Sequence, residues 1–175
     1  MKSVMYHYIG NITKKFPYYR KLSINTFNKQ LKKFNEVGLV NKYEELFLPS
    51  KKVIMTFDDG LKDHIYAAEK LKKLSSTGIF FISTMPYKNH QILDVHKTHL
   101  ITGKIDGREI LHQMNKYLIK NKIKNFSDPN EEKKFDRKYQ VDDQDQSIKK
   151  FKKLINFCGE INLRRKILNH LLKYF

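Results

Sequence analysis

The 175-residue chain is 40% apolar, enough for one domain with a sizeable core, and no run of about 18 uncharged apolar residues predicts a membrane span. Met1 to His7 lacks the apolar segment of a secretory signal and Cys158 is the single cysteine, so no internal disulfide forms and a cytoplasmic protein is expected. The net charge of +17 would attract phosphates, but 30 of the 35 basic residues are lysines, scattered without an arginine-rich stripe or a nucleic-acid-binding motif.

That scatter predicts a solvated basic surface and no specific nucleic-acid partner. Along the chain, Val4 to Ile9 reads as a first strand. Lys14 to Arg20 is a basic, aromatic loop containing Pro17. From Ser23, apolar Phe27, Leu31 and Phe34 follow helical spacing, and Gly38 supplies a stop. Val53 to Phe57 is a short apolar run, bounded by Lys51-Lys52 and Gly60, and reads as a buried strand. Lys62 to Ser75 reads as a helix with Ile65, Ala68, Leu71 and Leu74 on one face, and His64 is expected to face solvent. Ile79 to Ser83 makes the next strand. Strand, helix and strand in this order predict a parallel unit with a right-handed crossover.

Beyond Pro86 the chain reads as helical. Asp106 and Glu109 resemble a capping box ahead of Ile110, Met114 and Leu118 at helical spacing. Asn125 to Asp145 is polar and predicts a long loop. Ser147 to Phe157 and Glu160 to Phe175 read as two amphipathic helices split near Gly159, with Leu163, Ile167 and Leu171 lining the second. The expected division is 1–85, an α/β part, and 86–175, a mostly helical insertion or continuation.

The stretch richest in chemistry is Thr56-Phe57-Asp58-Asp59-Gly60. Two adjacent carboxylates at the C-terminal tip of a buried parallel strand occupy the edge where α/β folds place their chemistry. Their mutual repulsion is relieved when a cation or a proton is shared between them. In the plainer alternative, Asp58 caps the next helix and Asp59-Gly60 makes the turn.

This stretch, with the helix after it and Gly78-Ile79-Phe80-Phe81-Ile82, resembles the start of the polysaccharide deacetylase (NodB-homology) family of carbohydrate esterases. Met5-Tyr6-His7-Tyr8-Ile9 resembles the first strand of a branch that begins with a Tyr-His pair. Leu93 to His99 and Val141 to Gln144 resemble segments of a bacterial branch associated with surface-sugar pathways. The resemblance covers roughly residues 3 to 85. It implies a distorted (β/α) barrel of seven or eight strands and hydrolysis of an N-acetyl amide on a sugar. It also implies that Asp58 is the general base and Asp59 a ligand of a divalent metal, usually zinc. Family members complete the metal site with two histidines spaced four apart. With three strands legible, a partial barrel is expected, and the chain is expected to be the N-terminal part of a longer deacetylase.

His96 and His99 are the candidate substitutes, three residues apart on one helical face, although Lys97 stands between them. The alternatives are partly buried helix histidines or substrate contacts. His7 ends a strand beside the acidic one and is a candidate substrate contact or a satisfied core histidine. Asp94 suits an imidazole-orienting carboxylate or a helix cap. Asp142, Asp143 and Asp145 lack the glycine and glutamate of a calcium loop. Cys158 is expected to be buried. The rival readings are a truncated, non-catalytic member of the family, with zinc weakly bound or absent, and a basic module for polyanions. An incomplete barrel would also leave a strand edge open to self-association.

Overall fold

The computed structural model describes residues 1–124, 126–135 and 145–175. The chain is mixed α/β and divides into two compact units, Met1–Ile12 with Arg20–His90, and Thr13–Tyr19 with Gln91–Phe175. Most of the basic aromatic loop, Thr13–Tyr19, belongs to the second unit.

The first unit is built on a parallel three-stranded sheet in the order β1 (Lys2–Tyr6), β2 (Val53–Phe57), β3 (Gly78–Phe80). Every residue of β2 is buried, as the central strand of a parallel sheet requires. Its register sets Tyr6 opposite Phe57 and Phe80 opposite Phe57 on the other side. β1 begins and ends earlier than the sequence predicts, because Lys2 pairs with Val53 and the chain leaves the ladder after Tyr6. β3 is likewise shorter, ending at Phe80.

The helices α1 (Ile24–Val37) and α2 (His64–Lys73) connect the strands. Ser23 caps α1 by accepting from the Thr26 backbone N–H, and Gly38, at φ 107°, closes it. Phe27 and Leu31 are buried, whereas Phe34 is only partly so. α2 corrects the predicted face. His64, Ala67 and Leu71 are buried, while Ile65 is 59% exposed and Leu74 37% exposed. The core joins Tyr6, Phe27, Met55, Phe57 and Leu71, with Phe57 stacked on Phe80 at 4.7 Å between ring centres.

Burial of Tyr6 pushes its phenol up to about 12, and its hydroxyl donates to Gln30 Oε1 at 2.8 Å. The unfolded chain ionises near 10, so between those values the folded state holds the proton and the unfolded state does not. Stability is therefore full below pH 10 and falls as pH rises, by roughly 1 kcal/mol over the first unit of pH. Urea unfolding at pH 9.5 and 11 should show this loss in the wild type and a smaller one in Tyr6→Phe. Equal alkaline slopes in the two proteins would refute the assignment.

A short helix, α3 (Met85–Asn89), closes the first unit, and the second contains α4 (Asp94–Lys104), α5 (Gly107–Lys120), α6 (Pro129–Lys134), α7 (Gln146–Phe157) and α8 (Ile161–Tyr174). Asp106 caps α5 by accepting from the Arg108 and Glu109 backbone N–H groups, and Asp145 caps α7 through those of Ser147 and Ile148. Helix α6 corrects the predicted uninterrupted loop, since Asp128 accepts from Asn130 N–H and starts a helical turn. Residues 136–144, with Asp142 and Asp143, lie outside the described residues. The helices pack around Ile110, Met114, Phe151, Ile167 and Leu171, and Cys158 is buried among them as expected. Thr13–Tyr19 packs on α4: Tyr18 N–H donates to the Gly103 carbonyl, and a Cβ on Gly103 would lie 2.5 Å from the Tyr19 ring.

Candidate functional site

Asp58 leaves β2 with its backbone still paired, its N–H donating to the Tyr6 carbonyl at 3.0 Å. On the opposite side, Phe81 N–H donates to the Phe57 carbonyl at 2.8 Å. The acidic pair is thus delivered at the C-terminal edge of the sheet from a strand held on both flanks. Asp59 then turns the chain at φ 79° and Gly60 continues the turn at φ 62°. Aspartate tolerates this left-handed region better than most residues, yet at a cost that backbone of ordinary conformation avoids. Ile82 packs against Gly60 so closely that a Cβ there would meet its Cγ2 at 2.9 Å. Helix α2 starts only at His64 with Asp63 at its cap position, so Asp58 does not cap it. Asp59-Gly60 does make the turn.

Asp58 and Asp59 line an open cavity of about 580 Å³ with Phe81, Ile82 and Ser83. His7 reaches the same edge: its Nε2 lies 3.8 Å from Asp58 Oδ2. That distance is too long for a hydrogen bond, but an imidazolium there would pair with the carboxylate. The Asp58 side chain is 29% exposed and that of His7 41%, so solvent reaches both.

His64 is the residue whose position the sequence reading missed. It is 4% exposed, and its Nε2 lies 2.7 Å from the His7 carbonyl oxygen. A carbonyl only accepts, so Nε2 carries the proton. The ring sits 5.4 Å from that of Phe57 and ties the first residue of α2 to the end of β1, directly behind His7. Its spacing to Ala67 and Leu71, three and seven residues on, was the available signal for a buried face.

His96 and His99 lie on α4, in the second unit, and both are partly buried. Asp94 beside them accepts from Lys97 Nζ and Arg165 Nε, each at 3.0 Å, so its carboxylate is engaged by cations. Burial works against its charge, but these hydrogen bonds outweigh burial and hold its carboxyl below the usual range. Lys97 itself is buried, so the charge that stands between the two histidines is paired with Asp94.

Among the described residues, no group of three or more His, Cys, Asp or Glu side chains is arranged to hold a metal ion. Asp58, Asp59 and His7 offer oxygen and nitrogen donors of the right kind. A catalytic zinc takes three protein ligands, and among the described residues these side chains do not gather into such a group. No helix among the described residues is long and apolar enough to cross a membrane. Comparison with protein-family models, curated proteins and solved structures found no match for this chain.

Proposed function

We propose that the C-terminal edge of β2 is a hydrolytic site of the polysaccharide deacetylase type, acting on the N-acetyl amide of a sugar. The observation that carries this reading is the Asp58-Asp59 pair at the tip of the central parallel strand, with the His7 imidazole 3.8 Å from Asp58 and an open cavity in front. In this reading the three-stranded parallel sheet is part of a distorted (β/α) barrel. Asp58 is the general base: it takes a proton from the water that attacks the amide carbonyl. The carbon–nitrogen bond then breaks, acetate leaves, and the sugar nitrogen departs as an amine after gaining a proton. His7, partly exposed beside Asp58, contacts the sugar.

Zinc is the cofactor this reading brings with it, and Asp59 is its assigned ligand. Among the described residues the donors around Asp59 do not gather into a three-ligand group. That misfit favours a second reading, a member of the family that binds N-acetylated sugar without turning it over.

One experiment separates them. Acetate release from N-acetylglucosamine oligomers, measured with and without added zinc, is paired with equilibrium binding of the same oligomers. Release that Asp59→Ala removes supports the hydrolase, whereas binding without release supports the non-catalytic member. Neither binding nor release overturns both. Salt-sensitive retention on a polyanion would then favour the basic-module reading.

A further inference from the structure

A second cavity, of about 450 Å³, opens next to the acidic turn. It is lined by Gly60, Leu61 and Lys62 from the turn, by His64, Ile65 and Ala68 from α2, and by Phe80, Ile82 and Tyr87. Ile82 lines both cavities, so the two adjoin across a single side chain that rests on Gly60. The walls are mainly apolar. His64 adds an aromatic ring with its polar atoms withdrawn, since Nε2–H is committed to the His7 carbonyl and Nδ1 is sealed from solvent. Lys62 is the one cationic group, and it is exposed.

Cavities of roughly 300–1,000 Å³ with mainly apolar walls are the common form of small-molecule sites. An apolar cavity of ~150 Å³ already takes a benzene ring. An acetyl group, with a single methyl, would leave this second space unused.

We propose that the second cavity is a subsite for the acyl chain of an N-acylated sugar whose amide lies at Asp58 and Asp59. The inference rests on the proposed hydrolytic reading and narrows its substrate class from N-acetyl to longer N-acyl groups. The carbonyl lies at the acidic edge, the chain passes Ile82, and its methylenes lie between α2 and Phe80. Each buried methylene is worth about a fourfold gain in affinity, so two suffice for more than tenfold.

The test measures binding of N-octanoylglucosamine, N-acetylglucosamine and free octanoate by calorimetry. Wild-type protein should bind the octanoyl sugar at least about tenfold more tightly than the acetyl sugar. Ala68→Trp, which fills the cavity from α2, should erase that preference and leave N-acetylglucosamine binding unchanged. Ile65→Glu places a charge on a wall residue that is already exposed, so it should do the same without burdening the core. Equal affinity for the two sugars in the wild type, or a preference that survives in the folded variants, overturns the subsite. If neither sugar binds but octanoate does, and both variants lose it, the chain subsite stands and the sugar reading of the acidic edge falls. If octanoate also fails to bind, the subsite falls with it.

Discussion

On the proposed hydrolytic reading, replacing Asp58 by asparagine is expected to slow acetate release by a factor of roughly 10²–10⁴, the usual contribution of a positioned general base. The amide is nearly isosteric with the carboxylate, and the backbone N–H of residue 58 keeps its bond to the Tyr6 carbonyl. The side chain is 29% exposed, so no buried partner is stranded by the change. The melting temperature should therefore stay close to that of the wild type while the rate collapses. Acetate release and a thermal melt on the same preparation check both halves. A variant that keeps more than half of the wild-type rate would remove Asp58 from the chemistry.

The largest stability effect should come from the residue just before it. Phe57 is fully buried, stacked on Phe80 at 4.7 Å and on Tyr6 at 5.5 Å, with Phe27 edge-on at 6.5 Å. Phe57→Ala removes the ring on which these three and the His64 imidazole converge and leaves a void that the paired strands cannot close. A loss of about 3–5 kcal/mol is expected for such a truncation. Set against a typical total of about 5–15 kcal/mol, that is a large share of the stability available. Urea titration followed by circular dichroism measures it. A loss below about 1 kcal/mol would mean that the stack is not the centre of this core.

Much of the first unit was legible because its signals are local. Val53 to Phe57 is a short apolar run between lysines and a glycine, and the strand has those bounds. Ser23 and Gly38 mark the ends of α1 by their capping chemistry. What escaped the reading depends on partners distant in sequence. The face of α2 is decided by the sheet beneath it and by the His7 carbonyl, 57 positions away from His64, so Ile65 and Leu74 do not share the buried side with Leu71. The early end of β1 is a property of its register with β2. At the site, Asp58 and Asp59 follow from a motif at a strand end. The approach of His7 to Asp58 follows from two strands lying side by side, which the order of apolar runs did suggest. The burial of His64 was readable only as a spacing.

The excursion of Thr13–Tyr19 into the second unit has a consequence for synthesis on the ribosome. This segment is made early, yet its resting place against Gly103 does not exist until α4 has been translated. At about 5–20 residues per second, the Tyr19 ring waits several seconds or more for its site. Throughout that interval the nascent first unit carries an unanchored aromatic loop between β1 and α1.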